Sequence, residues 1–318
     1  MFNYTKAELA TKAGEMNFIR DTLEKMMRLT DILAYINTNP IMKDCLALKG
    51  GTAINLTVFD LPRLSVDIDL DYCATDSRDE MLRTREAITA DLKIFLASED
   101  YTLSPLSKNR HSLDSFVLLY RNRGNMRDNI KIEINYSLRS HIFTPEQRKI
   151  RSSLTVDDQL VLAVRPIELF AAKINALLSR AAVRDLFDTY NMIITKLFNT
   201  EQLLLLRKCI VFYTAVSQEQ IPEHYSFEGI EAATLRRIKT DLLPVIQKSV
   251  HIDLENMKET VKEFLKQLLQ LTDGEQQFLA LFREKSYQPE LLFSDTGILN
   301  NIAHHPMIEW KLQNHDIV

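Results

Sequence analysis

The sequence has little glycine, with 7 in 318 residues beside 9 prolines and 1 tryptophan. That scarcity excludes a fold made mostly of tight turns, and no low-complexity segment or internal repeat is present. Cysteine is scarce too: Cys45, Cys73 and Cys209 lie far apart and form no C-x-x-C pair. This excludes a zinc site of the usual spacing and a disulfide framework. An odd count with no secretion signal predicts the reducing cytoplasm. No apolar run is long enough to span a bilayer, and the polar N-terminal stretch reads as neither signal peptide nor anchor, so no membrane partner is expected. Charge of one sign is also lacking, at −4 overall. A uniformly basic nucleic-acid binder is excluded, although a local basic patch is not.

What is present is an ordinary globular composition, 46% apolar and 26% charged, on a chain long enough for one large domain or two. Residues 5–38 carry Met16, Ile19, Leu23 and Met27 at helical spacing, which predicts a helix ended by Asn39-Pro40. A short apolar strand at residues 45–48 runs into Gly50-Gly51, with Thr52 as cap of the helix that follows. Residues 65–73 alternate as a strand, and 77–97 read as an amphipathic helix. Strands follow at about 101–107, 114–121 and 129–137, with a turn at residues 121–125 and a short strand near Val161. From Pro166, which suits a first helical position, all reads as helix. The shift predicts an α+β domain over 1–165 and an all-helical domain over 166–318.

The chemistry concentrates in Val66-Asp-Ile-Asp-Leu-Asp-Tyr72. Side chains on a strand alternate faces, so Asp67, Asp69 and Asp71 share one face while Ile68, Leu70 and Tyr72 face the core. Two carboxylates at i and i+2 can converge on a pair of divalent ions. A wet acidic strand fits the same pattern. Gly50-Gly51-Thr52, between a strand and a helix, permits close approach of a phosphate to a helix N-terminus; a plain tight connection fits as well. On residues 129–136, Glu133 lies on the polar face of another alternating strand. It is either a third carboxylate of the site or a surface partner of Lys131. Residues 101–151 hold ten basic residues against four acidic ones, which points to a local polyanion surface or to a solvated loop region.

The order of these features resembles the DNA polymerase β-type nucleotidyltransferase superfamily. The longer pattern, Lys49-Gly-Gly-Thr-Ala with Arg63-x-Ser65-x-Asp67-Ile-Asp69-Leu, resembles the AbiEii/AbiGii-type nucleotidyltransferase toxins of type IV toxin–antitoxin and phage abortive-infection systems. Lys131-Ile-Glu133, Lys173 on its helix, and Arg184-Asp185 with Asp188 match their further motifs in order, over residues 45–192.

The resemblance implies a polymerase β-type domain with a mixed sheet, an all-helical domain after it, and an active site in the cleft between them. It implies catalytic roles for Asp67, Asp69, Glu133, Lys173, Asp185 and Asp188. Two Mg²⁺ ions would be held by Asp67, Asp69 and Glu133. The NTP substrate would be bound by Gly50, Gly51, Thr52, Arg63, Ser65 and Lys173. The acceptor it implies is a tRNA 3′ end or other RNA, with a cognate antitoxin as further partner. Transfer to a protein side chain, or a non-catalytic GTP-binding module, remain as alternatives. Asp71 exceeds the pattern and reads as solvated. Lys173 reads either as a phosphate-neutralising charge or as a lysine snorkelling to the surface.

Overall fold

The structure is a computed structural model that describes residues 2–137, 139–150, 154, 159–180, 182–218 and 220–313. It divides into two compact units: Met1–Arg139 with Pro145–Val164 and Leu243–Val250, and Ser140–Thr144 with Arg165–Leu242 and His251–Val318.

The first unit opens with α1 (Lys6–Glu15) and α2 (Arg20–Thr38). The single helix expected over 5–38 is therefore two. Asn17 sits at φ 59°, in the left-handed region where a helix stops and where asparagine is tolerated. Then come β1 (Leu46–Lys49), α3 (Gly50–Ala53) continued by a π-turn over Ile54–Val58, β2 (Asp67–Tyr72) and α4 (Arg78–Ser98). Ser77 and Glu80 close a capping box that starts α4. The remaining strands are β3 (Thr102–Leu103), β4 (Lys108–Arg110), β5 (Leu113–Arg121), β6 (Arg127–Asn135), β7 (Glu146–Lys149) and β8 (Leu160–Ala163). Strand β7 has no apolar alternation and escapes a sequence reading; it forms by pairing with β8.

All eight strands form one mixed sheet, ordered β3-β5-β6-β2-β1-β8-β7 with β4 alongside β5. Strand β2 lies between β1, antiparallel, and β6, parallel. One face is the core. Ile68, Leu70, Tyr72, Phe116, Leu118, Ile130, Ile132 and Ile134 are all buried there. Helices α2 and α4 cover it: the Arg28 guanidinium of α2 stacks on Tyr120, and Arg85 of α4 binds Asp114 at 2.6 Å. Burial of this apolar surface, at about 25 cal/mol per Å², holds the sheet in one register. Residues 243–250, distant in sequence, return to this unit: Leu64 donates to the Val245 carbonyl at 2.7 Å, and Arg63 bridges Ile246.

The second unit is helical, built on α5 (Pro166–Ser179), α6 (Val183–Ile194) and α7 (Thr200–Ser217), then shorter turns and the helices Leu254–Leu268, Asp273–Arg283, Thr296–Ile302 and Pro306–Gln313. Glu168 in the first turn of α5 is buried. It accepts the Ile142 and Phe143 N–H groups at 3.0 and 3.1 Å, and the Tyr213 hydroxyl of α7. Those bonds fasten residues 140–144 to the helices. No helix among the described residues is long and apolar enough to cross a membrane.

Candidate functional site

Register places the acidic residues together. Asp69 is the Cα partner of Lys49 on β1 and of Glu133 on β6, and Glu133 in turn faces Ser115 on β5. Partners in register project to one face, so Lys49, Asp69, Glu133 and Ser115 form a row across four strands. Asp67, two residues back, stands beside Lys131. Asp67, Asp69 and Glu133 are half-buried, on the face opposite the apolar core.

Asp71 corrects an expectation. It is not solvated but 3% exposed, and its carboxylate pairs with Lys49 at 2.5 Å. Alternation alone put Asp71 on the wet face; the neighbouring strand brings a cation over it. Glu133 pairs with Lys131 at 2.8 Å. Lys49 and Lys131 thus each take one acid of this face, Asp71 and Glu133.

The glycine turn abuts these carboxylates. Gly50 has φ +69°, a conformation that suits glycine, and a Cβ there would stand 2.5 Å from Asp69 Oδ2. A Cβ on Gly51 would meet the Arg63 guanidinium at 2.5 Å. Thr52 is not the helix cap. Lys49 holds that position, and Thr52 lies inside the first turn, fully buried. Its hydroxyl reaches the Ser65 hydroxyl at 2.8 Å and the Asp67 carbonyl. Thr52 and Ser65 therefore tie the helix start to β2, and Arg63, 2% exposed, fills the space over Gly51. The first N–H groups of such a helix have no intrahelical acceptor, which suits an anion.

In the helical unit, Lys173 of α5 neither snorkels nor stands exposed. Its ammonium lies 2.8 Å from Asp185 and 3.1 Å from Asp188, both on α6, and its side chain is 9% exposed. Arg180 adds a second cation to Asp185 at 3.1 Å. Arg184 donates to the Asp241 carbonyl at 2.6 Å. His304 is exposed in the loop before Pro306, whereas His305 is fully buried against Phe212.

The family model described as "Nucleotidyl transferase AbiEii toxin, Type IV TA system" matches residues 31–284. The chain belongs to the AbiEii nucleotidyltransferase toxin family. Nucleotidyl transfer is therefore its activity class. Among solved structures it is similar to MenT4, a nucleotidyltransferase toxin from Mycobacterium tuberculosis H37Rv, at 16% identity and a TM-score of 0.65, with 98% of each chain covered. At that identity the likeness establishes the shared fold. No curated protein matches the chain.

Members of such a family use an NTP and a divalent metal. The donor set on β2 fits a hard cation: Mg²⁺ takes one or two protein carboxylates and completes its shell with water and substrate phosphates. Among the described residues no group of three or more His, Cys, Asp or Glu side chains is gathered to hold a metal ion. Glu133 is occupied by Lys131. The fit therefore rests on Asp67 and Asp69, with phosphate oxygens as the other ligands.

Proposed function

We propose that this AbiEii-family chain transfers a nucleoside monophosphate from an NTP to the 3′ hydroxyl of a tRNA. The observation that carries the reading is the Gly50–Asp69 juxtaposition. A left-handed glycine opening a helix stands against a carboxylate of β2, so a triphosphate drawn to the turn lies beside Asp67 and Asp69. In the reaction the acceptor oxygen forms a bond to the α-phosphorus, the Pα–O bond to the β-phosphate breaks, and pyrophosphate leaves with that electron pair. The hydroxyl proton passes to Glu133 or to water.

Mg²⁺, when bound by Asp67 and Asp69, supplies charge neutralisation at the phosphates. The chain's own groups position the reactants. Gly50 and Gly51 present backbone N–H groups to the β and γ phosphates, and buried Thr52 fixes the turn through Ser65. Arg63 and Ser65 hold the turn in shape. Blocking tRNA 3′ ends stops translation, which accounts for a toxin, and the type IV class supplies a cognate antitoxin as partner and phage defence as setting.

The test is incubation of the purified protein with Mg²⁺, total RNA, added cell protein and each α-labelled NTP in turn, beside Asp67→Ala. Label in tRNA-sized RNA from the unmutated protein alone is the expected result, and it names the nucleotide. Label entering protein overturns the tRNA acceptor. Nucleotide binding with no transfer to either overturns the enzyme reading.

A further inference from the structure

The polar face of β6 does not end at Glu133. Counting back by twos it carries Lys131, Asn129 and Arg127, and the same face of β5 carries Val117, Leu119 and Arg121. Exposure rises along that path, from half-buried Glu133 and Lys131 to exposed Asn129, Arg127 and Arg121. Arg127 and Glu133 are the ends of a run of about 20 Å at 3.3–3.4 Å per residue.

At the far end, Arg121 and Arg127 are direct cross-strand partners. Like charges placed opposite each other on an antiparallel pair destabilise it. Among the described residues no acid forms an ion pair with either. Asp128, between them in sequence, points the other way and is bound to Lys25 at 2.7 Å. Arg121 donates to the Asn125 carbonyl and side-chain oxygen at 3.2 and 3.3 Å, which ties it to the turn, yet the like charges still stand opposite each other.

The turn that presents them is nevertheless built with care. Asn122 is 6% exposed, and its side-chain oxygen accepts the Gly124 and Met126 N–H groups at 3.0 and 2.9 Å. Fully buried Glu24 accepts the Arg123 N–H with both oxygens, at 3.1 and 2.8 Å. Gly124 lies so close under Arg20 that a Cβ would meet its guanidinium at 2.7 Å. A rigid tip holding two opposed cations, continuous with the face that carries Asp67 and Asp69, matches a chain of phosphates. Leu119, 41% exposed on that face, and Asn129 opposite it offer an apolar contact and a hydrogen-bonding amide to bases between the phosphates.

We infer that this face of β5 and β6 is the binding track for a single-stranded RNA acceptor end, with Arg121 and Arg127 gripping its phosphates and the strand running toward Asp67 and Asp69. The inference rests on the nucleotidyl-transfer reading for its direction, while the binding it asserts is measured without transfer.

The experiment measures anisotropy of fluorescein-labelled, deacylated total tRNA on the full chain from 50 to 200 mM KCl, for the unmutated protein and for Arg121→Glu/Arg127→Glu. Loss of two phosphate contacts should weaken binding at low salt by about tenfold or more and reduce the salt slope by about 1.4, at about 0.7 per single-strand contact. Arg83→Glu/Lys93→Glu, an equal charge change on exposed α4 positions, should bind as the unmutated protein does. Should charge reversal impair folding, Arg121→Gln/Arg127→Gln gives the same direction with a smaller step. In the transfer assay the effect should fall on KM for tRNA and not on KM for the NTP. Equal tRNA affinity and slope in the arginine variants and the unmutated protein overturns the track. So does absence of salt-dependent tRNA binding by the unmutated protein. If that protein binds tRNA through these arginines but labels only protein, the track stands and the tRNA acceptor falls.

Discussion

Both units set a lysine among aspartates, and they use it in opposite ways. In the helical unit Lys173 lies between Asp185 and Asp188, with carboxylate side chains 4% and 1% exposed, and Arg180 balances the second charge. The two carboxylates are buried, while the Arg180 side chain that covers Asp185 is itself 68% exposed. On the sheet, Lys49 goes to Asp71 and Lys131 to Glu133, while Asp67 and Asp69 stand half-buried on the same face. There solvent has access. The first arrangement is buried; the second keeps Asp67 and Asp69 half-buried beside the glycine turn. Substitutions at the two places should therefore separate function from stability.

The largest effect is expected at β2. Asp69→Asn keeps the shape and removes one charge from the acidic face. Label incorporation should fall by about 10³-fold, the scale seen when a preorganised electrostatic group is lost. The melting temperature should hold or rise as like-charge repulsion eases. A drop of several degrees with transfer retained would reverse the comparison and make Asp69 structural. Next comes Lys173→Met. Removing one partner of a buried ion pair costs about 3–5 kcal/mol, because the two carboxylates stay buried. Urea unfolding should show that loss. An unchanged midpoint would mean that Asp185 and Asp188 do not depend on Lys173 for stability.

How far the two arrangements could be read in advance follows the range of the contacts that make them. Asp67, Asp69 and Glu133 sharing a face follows from period-two alternation within each strand, and Gly50-Gly51 marks its turn locally. The α+β class with a mixed sheet follows from the same patterns. Burial of Asp71 was not legible, because it depends on antiparallel register with β1, which brings Lys49 across. The Lys173 cluster joins α5 to α6 through a turn, so helical periodicity shows the residues but not the pairing. The return of residues 243–250 to the sheet unit rests on backbone contacts with Arg63 and Leu64 and on the Lys248 N–H to the Asn17 carbonyl, and only Val245-Ile246 hints at it. The break at Asn17 rests on one left-handed residue among good helix formers. Of the basic residues counted over 101–151, Arg151 lies outside the described residues.

The units should also part under acid. His305 is buried, and desolvation first, then the charge of His141, pushes its pKa down to about 4, with Glu168 opposing. The unfolded chain takes up that proton near pH 6.5, so stability of the helical unit declines as pH falls from about 6.5 to about 4. At about 1.36 kcal/mol per pH unit the loss is about 3 kcal/mol. Glu168 behaves differently. Burial works to raise it, but His141, the Tyr213 hydroxyl and the Phe143 N–H outweigh that and hold it below 4.5. Its contribution is present above that value and is lost only at lower pH. Unfolding followed by tryptophan emission from Trp310 should lose stability through the upper window, and His305→Phe should flatten it.

The smallest effect on stability carries the finest test of the sheet half. Lys131 and Glu133 are 40% and 29% exposed, so their 2.8 Å pair contributes about 0.2–1 kcal/mol. Lys131→Met should barely move the melting temperature. It releases the Glu133 carboxylate beside Asp69, its partner in register. If Glu133 takes the acceptor's proton, Glu133→Gln should abolish transfer while Lys131→Met retains it. If Glu133 serves only to hold Lys131 in place, the two substitutions should lower the rate alike. Charge at Lys131 also lies on the path toward Arg127, so KM for tRNA should be followed in the same series. Loss of transfer in Glu133→Gln alone, at constant KM, assigns Glu133 to chemistry; a higher KM in Lys131→Met assigns Lys131 to acceptor binding.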